Sequence, residues 1–81
     1  MYQDDVQTLF RVLLYATAES RRRLAERLVN ERNAEVWVLL AITARSQGNP
    51  LLRARCLEVL ALAAAAADEH QAEVILSALL G

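Results

Sequence analysis

The sequence predicts an all-α protein that folds as one small domain over residues 1–81. Alanine and leucine, two strong helix formers, each supply 15 of the 81 residues. The chain has only two glycines and one proline, and its β-branched and aromatic residues are too scattered to form strands. We therefore expect four to five short antiparallel helices, arranged as a helical bundle or as a short α-solenoid of helical hairpins.

The N-terminal third predicts either two helices or one. Asp4 or Asp5 can cap a first helix that runs to about Ala18, and Ser20 can cap a second helix that runs to about Glu31. No glycine or proline separates the two, so one continuous helix from residue 5 to about residue 29 is the alternative. The residues expected to face inward are Val6, Leu9, Phe10, Leu13 and Leu14, followed by Leu24, Ala25, Leu28 and Val29.

Clearer signals delimit the third and fourth helices. Asn33-Ala34-Glu35 has the composition of a helix start and predicts a helix containing Val36 to Ala44. Gly48-Asn49-Pro50 supplies, in succession, a C′ glycine, an N-cap asparagine and a proline at the first helical position. The fourth helix is therefore predicted from Pro50 to about Ala67.

The last helix begins with a motif that echoes an earlier one. Asp68 followed by Gln71 resembles a capping box and predicts a helix that ends at Gly81. Residues 30–36 match residues 68–74 at an offset of 38, with four identities. An offset of this size is typical of helical-hairpin repeats, although the limited chemistry of helix caps explains the similarity equally well.

Helical periodicity gives the last three helices apolar residues on two faces. The inner faces are predicted to be Val36, Trp37, Leu40, Ala41 and Ala44; Leu52, Cys56, Val59, Leu60 and Ala63; and Ala72, Ile75, Leu76 and Leu79. The outer faces, predicted to form an oligomer interface, are Val38, Leu39 and Ile42; Leu57, Ala61, Ala64 and Ala65; and Val74 and Ala78.

The fourth helix carries the strongest functional signal in the sequence. Residues 59–67 lack any polar side chain, and only Arg53, Arg55 and Glu58 are charged between residues 51 and 67. A helix that is apolar all round must be covered on every side, and a small domain has few helices with which to cover it. Further copies of the chain are the cover we expect, and a tight arrangement with the fourth helix at its centre is the alternative.

This reasoning predicts a structural protein that self-assembles into a symmetric homo-oligomer, such as a ring or a cage. The alternative is an α-solenoid-type binding module that holds a partner helix or peptide in an apolar groove. The order of the symmetry depends on the angle between subunits, which one sequence does not reveal.

Chemistry-bearing residues are few, and an enzyme is not expected. Cys56 falls on the predicted inner face, where a free cysteine acts as a small hydrophobic residue, and His70 lies in an exposed first turn. One histidine and one cysteine are fewer than the three or four ligands of a zinc site. We therefore predict no catalytic residue, metal, cofactor or small-molecule substrate. A single cysteine forms no intramolecular disulfide, and cytoplasmic localisation is the default expectation.

Charge and hydropathy argue against nucleic acid and membranes as partners. The formal net charge is −1, and the longest apolar run is far shorter than the 20 or so residues of a membrane span. The acidic N-terminus does not resemble a signal peptide.

Five arginines lie between residues 21 and 32, but glutamates stand four residues from three of them, which predicts a solvated, self-paired face. The predicted pairs are Glu19 with Arg23, Arg22 with Glu26, and Arg27 with Glu31.

Several of these features occur together in one class of proteins. The Asn33-Ala34-Glu35-Val36 helix start, the short Gly48-Asn49-Pro50 loop, the alanines at 63–67 and the rarity of glycine resemble computationally designed α-helical proteins. That class includes designed helical repeats and subunits of designed symmetric assemblies, so the resemblance implies self-assembly. Three features depart from this class: the absence of lysine, the unpaired Cys56 and the Arg21-Arg22-Arg23 run. A natural protein from an Ala-, Arg- and Leu-rich genome is therefore the alternative.

Overall fold

A computed structural model describes residues 2–32, 34–46 and 48–80, with side chains from residue 7 onward. The described part of the chain is all-α, as predicted, and has five helices. They are α1 (Tyr2–Tyr15), α2 (Ala18–Glu31), α3 (Ala34–Ser46), α4 (Pro50–Ala66) and α5 (Glu69–Leu80).

The first helix differs from the prediction at both ends. It begins at Tyr2, so Asp4 and Asp5 lie within its first turn instead of capping it. It ends at Tyr15 and not near Ala18. An aspartate can stabilise a helix start either as the N-cap or from within the first turn, through the helix dipole. Asp4 and Asp5 alone therefore did not determine at which residue α1 begins.

The break between α1 and α2 excludes one continuous helix. Thr17 is extended, with φ −70° and ψ 163°, and its hydroxyl accepts a hydrogen bond from the Ser20 N–H at 3.1 Å. Thr17 is therefore the N-cap of α2, and the prediction that Ser20 is the cap was wrong. The Ala16 carbonyl, which a continuous helix would pair with Ser20, accepts instead from the Arg21 guanidinium at 2.7 Å. Two side chains thus satisfy two of the backbone groups that the break exposes.

The predicted start of α4 is confirmed. The Asn49 side chain accepts hydrogen bonds from the Leu51 and Leu52 N–H groups at 2.9 and 3.2 Å, and Pro50 is the first helical residue. Gly48 does not adopt the left-handed conformation of a C′ glycine, and a Cβ added there would meet open space. That conformation occurs instead at Arg32, with φ 53° and ψ 42°, at the end of α2. The predicted cap at residue 33 lies outside the described residues.

Half of the predicted capping box of α5 is present. The Gln71 N–H donates to the Asp68 carboxylate at 2.8 Å, so Asp68 caps the helix that begins at Glu69. The side-chain carbonyl of Gln71 is buried and makes no hydrogen bond with the described residues. The reciprocal bond of a capping box, from the Asp68 N–H to the Gln71 side chain, is therefore not formed.

Helix α4 lies at the centre of the bundle. It packs against each of the other four helices, α3 also packs against α5, and α1 packs on α4 and α2. All five residues predicted on its inner face are buried. The fully buried side chains of the core are Leu13, Ala25, Trp37, Leu40, Ala41, Cys56, Val59, Leu60, Ala63 and Ile75. Most of the cover that the apolar fourth helix requires therefore comes from its own chain, as the alternative arrangement predicted.

The echoed segments lie at the starts of α3 and α5, and these two helices are neighbours. Arg32 and Asp68, in the two loops that precede them, form an ion pair at 3.4 Å. The contacts of α2 with α4 and of α3 with α5 are those expected between two stacked hairpins. However, α2 and α3, which would form the first hairpin, make little or no contact with each other. Both pack on α4 instead, and the result is a compact bundle of 29 × 26 × 25 Å.

Candidate interaction surface

The outer side of α4 is an uncharged line of small and apolar residues. Ala54, Leu57, Ala61 and Ala65 are exposed and are spaced three or four residues apart, so they share one face of the helix. Leu57 is 48% exposed. The line extends for about 16 Å at 1.5 Å per residue. We call these four residues the α4 outer face. Its small side chains would allow another helix to approach closely.

The outer side of α3 has a different composition. Val38 and Ile42 are each 47% exposed and lie one helical turn apart. Glu35 stands three residues before Val38, and Arg45 stands three residues after Ile42; both are exposed. Leu39 is only partly exposed. The face is thus an apolar pair with one acidic and one basic residue at its ends.

The other predicted interface residues lie nearer the core. Ala64, Val74 and Ala78 are partly buried and pack against the core cluster. Leu76 was predicted to face inward, but it is 52% exposed. The reason is the rotation of α5, whose buried side is defined by Ile75 and by Gln71 four residues earlier. Other large apolar residues that are exposed but were not predicted on an outer face are Tyr15, Leu51 and Leu80.

The outer side of α2 is charged and internally paired, as predicted. All three predicted pairs are present, and their side chains are largely exposed. The distances are 3.0 Å for Glu19 with Arg23, 3.5 Å for Arg22 with Glu26, and 3.1 Å for Arg27 with Glu31. Each charge on this face has its partner within the same helix, which is the pattern of a solvated surface.

Arg21 contradicts the prediction that the arginines of α2 face outward. It is 5% exposed and forms an ion pair with Glu58 of α4. Arg55 approaches the same carboxylate at 3.8 Å. Because Arg21 also binds the Ala16 carbonyl, one side chain connects the end of α1, α2 and α4. A buried charge needs such partners to offset its lost hydration, so we assign this cluster to the architecture of the fold.

Cys56 and His70 lie in different environments. Cys56 is fully buried, and burial raises the pKa of its thiol from 9.0 to about 11. A thiol with so high a pKa stays protonated at neutral pH, whereas nucleophilic cysteines require a thiolate. His70 is exposed at the start of α5, beside a small cleft of about 180 Å³. The cleft is lined by Arg32, Ala34, Trp37, His70, Gln71 and Val74.

The described residues contain no cluster of three or more His, Cys, Asp or Glu side chains placed to hold a metal ion. None of the helices in the described ranges is long and apolar enough to cross a membrane. Trp37, which was predicted on the inner face of the third helix, is 1% exposed and belongs to the core.

Comparisons with known proteins identify no relative of this chain. No protein-family model, no curated protein and no solved structure matches it.

Proposed function

We propose that this protein is a structural module that self-associates into a symmetric homo-oligomer through the outer sides of α3 and α4. The observation that carries the proposal is the exposure of Val38, Ile42 and Leu57, each close to half exposed on an outward-facing helix side. Val38 and Ile42 are neighbours on α3, and Leu57 lies in a continuous line with exposed alanines on α4. Contiguous apolar patches on a protein surface often mark interaction sites.

The charge distribution supports association between copies. The formal net charge of −1 opposes the approach of a second copy only weakly. The four residues of the α4 outer face are uncharged, and Glu58, which borders the face between Ala54 and Ala61, is already paired with Arg21. Two copies could therefore bring this face together without burying an unpaired ion. Each 100 Å² of apolar surface that is removed from water contributes about 2.5 kcal/mol before the costs of association are subtracted.

The central position of α4 changes how assembly should occur. Since one chain already completes a hydrophobic core, the subunit should fold alone and then associate reversibly. Two separate faces on each subunit would permit assemblies larger than a dimer, closed or open according to the angle between the contacts.

Light scattering tests this proposal. We expect the mass of the wild-type protein to rise above the 9.0 kDa of one chain between about 1 µM and 1 mM, a range that corresponds to about −8 to −4 kcal/mol of binding free energy. Ile42→Arg combined with Ala61→Arg should leave a folded monomer. Ala18→Arg combined with Ala66→Arg adds the same charge at exposed alanines elsewhere and should not reduce assembly.

Two outcomes would contradict the proposal. One is a constant mass of 9.0 kDa for the wild-type protein across the whole range, which would leave a foreign helix or peptide as the candidate occupant of these faces. The other is equal loss of assembly in the test and control variants, since that would show dependence on total charge and not on the two faces. Circular dichroism at low concentration verifies that both double variants fold.

A further inference from the structure

The outer side of α3 has the spacing of a coiled-coil seam. Glu35, Val38, Ile42 and Arg45 are separated by three, four and three residues, which is the spacing of successive a and d positions in a heptad. We call these four residues the α3 seam. Val38 and Ile42 are each about half exposed. The side chains of Glu35 and Arg45 form no ion pair or hydrogen bond with the residues that the structure describes.

The α3 seam is complementary to a reversed copy of itself. Its charges are opposite and lie five residues on either side of Leu40, while Val38 and Ile42 lie two residues on either side. In an antiparallel helix pair, a positions of one helix face d positions of the other. Glu35 would then lie beside Arg45 of a second copy at both ends of the contact, and Val38 would pack on the second copy's Ile42.

We propose that α3 pairs with α3 of a second copy in an antiparallel contact about a two-fold axis. This inference rests on the proposed self-association and specifies its partner, direction and register. A parallel contact would bring Glu35 against Glu35 and Arg45 against Arg45, and like charges so placed favour the antiparallel arrangement. The contact involves one short helix from each subunit, which lies at the small end of interface sizes, so we expect micromolar or weaker affinity.

The helix dipole alone could also favour these two charges. Glu35 lies in the first turn of α3 and Arg45 in the last, where acidic and basic residues respectively stabilise a helix. The dipole does not account for two exposed apolar residues in phase with them. A test must therefore separate pairing between copies from stability within one copy.

Charge reversal and mixing provide that separation. All measurements use the full chain carrying Ala61→Arg, which disables the α4 outer face. Glu35→Arg alone and Arg45→Glu alone each place like charges together twice, so each should weaken the dimer by about tenfold or more. An equimolar mixture of the two should recover the original affinity to within about twofold, because each mixed dimer contains two opposite-charge pairs. Glu19→Arg alone and Arg23→Glu alone on α2 change the net charge by the same amounts and are the matched controls. Each should leave the affinity unchanged, alone and when the two are mixed.

The outcomes separate this inference from the proposed function. Loss of dimer in each variant with recovery on mixing supports the antiparallel pairing, and helix-dipole effects cannot produce that recovery. A dimer that persists unchanged in both variants, or two variants that fail to recover when mixed, overturns the pairing while self-association of the wild-type protein still supports the proposed function. A wild-type protein that stays monomeric overturns both.

Discussion

The outer sides of α2 and α3 both combine acidic and basic residues, but they place them differently. On α2, glutamate and arginine alternate at a spacing of four residues and pair within the helix. On α3, one acidic and one basic residue stand ten positions apart with two exposed apolar residues between them. Charges that are satisfied within their own helix indicate a solvated face, whereas the separated charges and exposed apolar pair of α3 are the features on which the proposed pairing rests.

The largest effect on stability is expected at Arg21, the one arginine of α2 that is not paired within its own helix. Glu58→Ala leaves Arg21 buried with only the Ala16 carbonyl as its partner, and should lower the free energy of unfolding by about 2–4 kcal/mol, given that Glu58 is itself partly exposed. Glu26→Ala removes an exposed pair from the same helix and should cost about 0.5 kcal/mol or less. Urea denaturation of both variants measures the difference, and equal losses would contradict the distinction between buried and exposed pairs.

Alkaline pH should lower the stability of the fold through Cys56, on the inner side of α4. The Cys56 thiol ionises near 9.0 in the unfolded chain but only near 11 in the folded protein. Between these values the unfolded state loses a proton that the folded state retains, so stability falls as pH rises. We expect a loss of about 2 kcal/mol from pH 9 to 11, beyond any change in Cys56→Ala. Parallel unfolding curves for the two proteins throughout this range would show that the thiol is not shielded from water.

A smaller effect is expected where α2 begins, because that junction orients its charged face. Thr17→Ala removes the hydroxyl that caps the Ser20 N–H and should cost about 1 kcal/mol. Ala18→Pro should stabilise the protein by about 0.4–1 kcal/mol, since proline favours the first helical position and the extended backbone already present at Thr17. Thermal unfolding checks both signs. A stabilising Thr17→Ala would mean that a continuous helix from α1 into α2 competes with the observed break.

Periodicity predicted the apolar residues on the inner faces of α3 and α4, but the buried polar residues Arg21, Thr43 and Gln71 were not predicted to face inward. Arg21 stands four residues before the buried Ala25, and Gln71 stands four residues before the buried Ile75. Each therefore lies on the inner side of its helix, as the spacing alone would have indicated. The expectation that polar residues face water outweighed this signal. Consequently the ion pair with Glu58 was missed, and Leu76 was assigned to the core.

Other features depend on information that is not local. The central position of α4 follows from how all the helices pack, and a nine-residue apolar run is equally compatible with cover from the same chain or from another. The break at Thr17 involves the hydrogen bond from Arg21 to the Ala16 carbonyl as well as the Thr17 cap. No glycine or proline lies at this position to indicate a helix end in the sequence. Of the α3 seam, the sequence analysis predicted the outward position of Val38 and Ile42 but did not include Glu35 and Arg45, which flank them.

A dilution series followed by two-dimensional ¹H–¹⁵N NMR tests the central claim most directly. The account predicts that amide resonances of residues 35–45 on α3 and residues 54–65 on α4 shift progressively as the wild-type protein is diluted from about 1 mM to about 10 µM, the range in which micromolar or weaker binding is lost. Resonances of residues 19–31 on α2 should stay constant. Equal shifts on all three helices, or no shift on α3 and α4, would contradict it.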